Sequence, residues 1–324
     1  MGSLHRPRHG SLAFWPRKKA AKALPSVNWK TFSDRKIETK NRLLGFIAYK
    51  VGMGSALVKD NTQHSMTKGK SIVIPATLLE CPPMKILAVR FYKDGKSAGE
   101  VLAADLEKEM KRKLKLPKKT ADIDEFKDKL GEFSDIRVLV YSLVKRTGIK
   151  KAPDIAEVGL YGTAGEKFEA AKSLLGKEIS VETVFGKGTL LDVHCVTKGK
   201  GFSGPVKRFG ISLRHHKSEK GVRKVGSIGP WHPARTTFKV AFAGQLGFFS
   251  RVQYNNKILS LGKSIEEIKG AKEAWPSYGL VKTAFCIAKG SVGGAKKRPV
   301  MLTVAARPTK KRAKENFELM EVIR

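Results

Sequence analysis

Six residues from Gly199 to Gly204 read GKGFSG and match the spacing GxGxxG, a pattern that can seat a dinucleotide pyrophosphate on a helix N-terminus. That chemistry also needs a helix opening inside the motif and an acidic residue about twenty positions on. Pro205 follows at once, no helical pattern begins, and the nearest downstream carboxylate is Glu219, so the spacing predicts no cofactor site. Gly262-Lys263-Ser264 resembles the end of a P-loop, but position 257, where its first glycine belongs, is Lys. His194, His215, His216 and His232 lack the carboxylate or thiol companions that a metal site or acid-base pair requires. Ser203, Ser212 and Ser227 lack an Asp-supported His at a recognisable spacing. No cofactor, no metal and no small-molecule substrate are expected, and the chain is not expected to be an enzyme.

The chemistry these residues do support is electrostatic. Residues 196–257 hold thirteen Lys and Arg against one carboxylate, Glu219, with glycine at nine positions. Apolar residues there keep neither a helical nor a strand period for long, so the segment cannot bury much of itself. An anionic partner must organise it, and a folded nucleic acid fits best. The glycines let backbone amides approach phosphates closely, above all Gly199, Gly201 and Gly204. In Gly229-Pro230-Trp231-His232-Pro233-Ala234-Arg235, two prolines stiffen a turn that presents Trp231 and His232 together. Its flanks, residues 222–228 and 234–240, are expected to pair as a β-ribbon with this turn at the tip.

Residues 1–42 repeat the theme: eleven Lys and Arg face only Asp34 and Glu38, and Pro7, Pro16 and Pro25 keep the backbone extended. Phe14, Trp15, Trp29 and Phe32 are interleaved with the charges, where aromatic faces can stack on bases or riboses. The cations and rings expected to contact RNA are Arg6, Arg8, His9, Trp15, Arg17, Lys18 and Lys19 in this segment. In the central one they are Lys198, Lys200, Lys207, Arg208, Arg214, His215, His216, Lys217, Arg223, Lys224, Trp231, His232, Arg235 and Arg251.

The whole chain of 324 residues carries a formal charge of +35, so it repels itself unless a polyanion neutralises it. Its 41% hydrophobic content nonetheless requires a real core. Three distant cysteines, Cys81, Cys195 and Cys286, make no zinc spacing and read as buried thiols of a cytosolic protein. The first residues form no apolar signal segment, Arg6 stands where a myristoylation motif wants Ser or Thr, and no run of eighteen apolar residues exists, so no membrane is expected.

The elements that must carry the basic segments begin at Leu43. Residues 43–60, 71–80 and 84–92 have strand composition, and the latter two are expected to neighbour each other in a barrel or curled sheet. An α+β insertion is expected at about 97–178: a helix over 99–116, a shorter helix over 122–133, a buried strand over 135–144 and an amphipathic helix over 164–177 closed by Gly176. Residues 178–195 return to strand alternation, 258–280 read as helix or loop, 283–289 and 299–306 as closing strands, and 307–314 as a basic tail. The organisation read from this is a basic extension over 1–42, a β framework over 43–195, a central loop over 196–257 and a completing segment over 258–324.

Several motifs resemble the L3 family of universal large-subunit ribosomal proteins, in its archaeal and eukaryotic form. They are the signature from Phe185 through Asp192, Thr197, Gly199, Lys200, Gly201 and Gly204 to Arg208; RPRHGSLAFWPRKKA; ATLLECPPM; GPWHPA; and AGQLGFFSRVQYNNKI. Cys195 stands where the family usually has a smaller residue, and Glu219 where eukaryotic members carry a His. The resemblance implies a mainly β fold with a translation-protein-type β-barrel on the outer face of the large subunit. It also implies long basic extensions that penetrate large-subunit rRNA, a central loop reaching toward the peptidyl transferase centre with Trp231 nearest to it, early binding in assembly, and neighbouring large-subunit proteins as partners. An RNA-modifying enzyme and a free-standing RNA chaperone are the competing classes, separable by a cofactor-dependent activity screen and by sedimentation.

Overall fold

A computed structural model describes residues 9–32, 41–117 and 120–323. Its strands are β1 (Gly45–Asp60), β2 (Ser71–Glu80), β3 (Met84–Lys93), β4 (Lys96–Leu102), β5 (Asp135–Ser142), β6 (Ile155–Gly159), β7 (Leu190–Val196), β8 (Gly199–Ser203), β9 (Gly244–Gly247), β10 (Ser250–Gly262), β11 (Phe285–Lys289), β12 (Pro299–Val304) and β13 (Phe317–Ile323). Its α-helices are α1 (Ala164–Leu174), α2 (Val181–Val184), α3 (Pro205–Phe209) and α4 (Lys310–Lys314). The chain divides into two compact units, one of residues 1–21 with 196–250, the other of residues 22–195 with 251–324.

The larger unit is mainly β, as expected. Its principal sheet runs β12-β7-β10-β11-β2-β1-β13, and β1 also pairs with β12, which closes six strands into a ring. The sixteen-residue β1 makes this possible: Gly45 to Tyr49 pair with β12, and Ser55 to Asp60 with β13. The first half of β1 is buried on both faces and is apolar but for Lys50. The second half alternates.

β2 and β3 are not neighbours. Cys81 and Pro82 are buried between them and Pro83 is half-buried, and proline, lacking an N–H, cannot continue the ladder. The chain turns there into a second antiparallel sheet of order β4-β3-β5-β6. The helix expected over 99–116 is absent. Asp94 and Gly95, with φ of 52° and 78°, form a two-residue hairpin turn that pairs Lys93 with Lys96 and makes the following residues β4. Of the expected helix only a 3-10 turn at Lys108–Arg112 remains. Two 3-10 turns likewise replace the helix expected over 122–133. There Phe126 stacks on Phe91 at 4.6 Å and Phe133 lies 5.0 Å from the same ring.

The amphipathic helix stands as α1. The Thr163 N–H donates to Glu166 Oε2 at 2.9 Å, and Phe168 and Ala171 are buried. The Arg42 guanidinium, followed by the Thr163 amide, holds the Glu166 carboxyl down at about 2. Ile258 to Gly262 continue β10 rather than forming helix, and β13 follows the basic tail unannounced.

Trp29 and Phe32 belong to this unit's core, each 4% exposed, and are not available to stack on bases. Trp29 lies in a slot between Gly45 and Gly159, where a Cβ would come within 2.8 and 2.9 Å of its ring, and its Nε1 donates to the Glu157 carbonyl at 3.0 Å. Cys81, Cys195 and Cys286 are buried free thiols, each with burial pushing its pKa up.

Candidate nucleic-acid interface

The smaller unit is built on a short antiparallel ribbon. β8 pairs with β9 through Gly199↔Gly247, Phe202↔Gln245 and Ser203↔Gly244, with an irregularity in between. Gly247 is the residue this ribbon cannot lose. Its φ is +70°, and a Cβ there would sit 2.0 Å from the Lys198 carbonyl oxygen. That approach lets the Phe248 N–H donate to Lys198 at 3.2 Å, while the Thr197 N–H reaches the Phe249 carbonyl at 3.0 Å.

The glycines of the GxGxxG match lie in and just after β8. A helix does begin at Pro205, contrary to the pattern reading, because proline suits the first helical position. It ends after five residues at Gly210, φ +69°, and the motif's glycines precede it in an extended ribbon rather than forming the turn that binds pyrophosphate. Gly201 has φ +65° with open space where a Cβ would be, and Gly204 faces open space too.

Arg208 turns inward. Its Nε donates to the Gln245 carbonyl at 3.0 Å and its Nη1 to the Phe242 carbonyl at 2.9 Å, so it ties α3 to the returning strand. Burial, then Arg17, lowers its pKa. Phe209 joins it to the N-terminal residues: the Arg17 guanidinium lies 4.5 Å from the ring centroid on Phe209, Arg208 5.1 Å, and Gly10 packs so close that a Cβ would meet the ring at 2.5 Å. Ala20 N–H donates to the Phe248 carbonyl at 2.9 Å, Lys19 sits over the Phe248 ring at 5.5 Å, and Trp15 and Phe238 rings meet at 5.0 Å. Two basic segments far apart in sequence thus fold on each other. Phe209, Phe238, Phe248 and Gly247 do this work, and in the sequence only Phe209 beside Gly210 and Phe248 beside Gly247 mark it.

His9, Trp15, Lys18, Lys19, Lys198, Lys200, Lys207, His215, His216, Lys217, Arg223, Lys224, Trp231, His232 and Arg235 are exposed. Arg17, Arg208, Arg214 and Arg251 are half-buried, and Arg251 falls in the larger unit. Arg6 and Arg8 lie outside the described residues. Arg214 donates through its guanidinium to the Val225 carbonyl and through its N–H to Val222 at 3.0 Å.

The ribbon expected around Trp231 does not form: residues 222–240 contain no strand, and pairing occurs instead at the base, in β8 and β9. Glycine and proline at 226, 229, 230 and 233 interrupt any ladder. Trp231 itself is 87% exposed. The His215 and His216 ring centroids lie 4.3 Å apart with the rings tilted, and among the described residues no group of three His, Cys, Asp or Glu could hold a metal. His194 belongs to β7 in the larger unit, where burial lowers its pKa to about 4 and Thr303 Oγ1 lies 3.3 Å from its Nε2.

The carboxylates are segregated. The ion pairs of Arg90 and Arg137 with Glu157, Arg137 and Lys167 with Asp135, and Arg146 with Glu178 all lie in the larger unit. Glu219 is the single acid among residues 196–257 and is exposed. Such a surface can do one thing well: neutralise closely spaced phosphates while offering aromatic faces.

The family model described as Ribosomal protein L3 matches residues 1–322. The chain is 41% identical over 318 residues to the large ribosomal subunit protein uL3 of Archaeoglobus fulgidus, covering 94% of this chain and 93% of that protein. It is 39% identical over 322 residues to the uL3 of Methanothermobacter thermautotrophicus, covering 95% and 94%. It is 40% identical over 321 residues to that of Methanocaldococcus jannaschii, covering 94% and 93%.

Proposed function

This chain belongs to the ribosomal protein L3 family, a structural component of the ribosome and not an enzyme, and on that premise we propose that it works in translation by binding large-subunit rRNA through its smaller unit. The observation that supports this most is the set of exposed Lys and Arg among residues 198–239, Arg208 and Arg214 aside, set against Glu219 alone. Each neutralised phosphate releases counterions, so the unit gains affinity without a base-specific code. Arg208, Arg17 and Arg214 act differently: they hold backbone carbonyls or rings of the unit, and so set where the other cations stand.

In this reading rRNA binds early in assembly, and recognition follows RNA shape more than base sequence. The exposed Trp231, in its proline-stiffened turn, is the part that extends toward the peptidyl transferase centre. Neighbouring large-subunit proteins are the remaining partners, and the cytoplasmic ribosome is the location. An epitope-tagged chain sedimented through a sucrose gradient tests this: it should co-migrate with large subunits and leave them in high salt. Migration away from large subunits at low salt would refute the assignment.

A further inference from the structure

The helix α4 reads KKRAK, four cations in five residues with no acid in its first turn. So short and self-repelling a helix does not hold itself in water. It is held from β10. Asn255 Oδ1 accepts the Thr309 N–H at 3.1 Å where the helix begins. Arg312 turns toward β10, its Nη1 donating to the carbonyls of Tyr254 at 3.3 Å and Asn255 at 3.0 Å. At the far end Lys257, only 4% exposed, donates from Nζ to the carbonyls of Arg312 at 3.0 Å, Ala313 at 3.1 Å and Glu315. An ammonium beneath the last carbonyls sits at the favourable end of the helix dipole. The nearby Glu315 carboxylate is taken by Lys289 at 2.7 Å.

A buried cation is therefore used to fix a helix made of cations. Lys310, Lys311 and Lys314, spaced i, i+1 and i+4, are exposed, and so is Arg307 just before the helix. Among the described residues, none of the three lysines pairs with a carboxylate. We propose that α4 is a preorganised rRNA-phosphate site in the larger unit, with Lys257 as its positioning residue; the proposal rests on the rRNA-binding reading above. Residues 307–314 offer ammonium and guanidinium donors and no large apolar side chain, which suits a phosphate backbone and not the apolar centre of a protein interface.

The test is the slope of log affinity against log salt, measured for the full chain on deproteinised large-subunit rRNA. At about 0.9 per phosphate in duplex, the triple variant Lys310→Gln, Lys311→Gln, Lys314→Gln should flatten the slope by roughly 2 to 3, with thermal unfolding unchanged. Lys257→Met removes no exposed charge, yet should flatten the slope in the same direction, and Lys257→Arg should restore it. A triple variant that keeps the wild-type slope overturns the proposal, whatever Lys257→Met does to folding. A wild-type chain with no salt dependence at all would instead overturn the rRNA-binding reading itself.

Discussion

Gly247→Ala attacks the smaller unit at the one place where its backbone has no room. Two costs add. A non-glycine residue at φ +70° costs roughly 1–2 kcal/mol. A Cβ 2.0 Å from the Lys198 oxygen meets backbone rather than a flexible side-chain end, so the strands must separate and the Phe248–Lys198 hydrogen bond, worth about 1 kcal/mol, is lost. The sum is about 3 kcal/mol, or on the order of a hundredfold in the opening equilibrium. Amide hydrogen exchange reads this directly. The Phe248, Phe249 and Ala20 amides, bonded to Lys198, the Thr197 hydroxyl and Phe248, should exchange about a hundredfold faster, while ring amides such as those of Leu79 and Val300 keep their rates. Gly201→Ala is the comparison: φ is +65° but nothing lies within 4 Å, so only the conformational cost applies. If Gly247→Ala exchanged no faster than Gly201→Ala, the close approach would not be what holds the ribbon.

Three further outcomes follow from other residues. Trp231→Ala should shift thermal stability by no more than about 0.5 kcal/mol, because the ring is almost wholly exposed, while weakening the assembled subunit's function; calorimetry of the isolated chain checks the first part. Glu80→Ala should destabilise the larger unit by about 3–5 kcal/mol in denaturant titration. The buried carboxylate accepts from the Tyr278 hydroxyl, the Lys282 and Thr283 amides and the Thr283 hydroxyl, all of which would lose their partner, and Glu80→Gln should cost less. His194 is held neutral in the fold, with its pKa near 4 against 6.5 for the free side chain. The unfolded chain therefore binds more protons between those values, so stability rises with pH across that window and falls as pH drops through it. The contribution is at most about 3 kcal/mol before solvent screening, and His194→Gln should remove this part of the pH dependence.

Strands with period-two or β-branched composition were readable from residues alone, β2, β5, β11 and β12 among them, because local pattern and final pairing agree there. The helix expected over 99–116 failed for a visible reason: Asp94-Gly95 is a hairpin signal, and a turn that nucleates pairing overrides helical spacing downstream. Phe126 and Phe133 show the limit of periodicity, since their positions are set by Phe91 on another strand. Trp29, a tryptophan among lysines, looks in the sequence like a ligand-facing ring, whereas the two glycines that make its slot are sixteen and 130 residues away. In the basic segments the charge and glycine content were legible, but not the use of Arg17 and Arg208 around Phe209, which joins residues nearly two hundred positions apart. The pairing expected around Trp231 forms instead between β8 and β9, which contain glycines but no proline.

The salt dependence of rRNA binding by the full chain measures most directly whether the exposed cations meet rRNA phosphates. If the chain neutralises six or more phosphates, log affinity should fall against log salt with a slope of about −5 or steeper. A slope near zero between low and moderate salt would contradict the account.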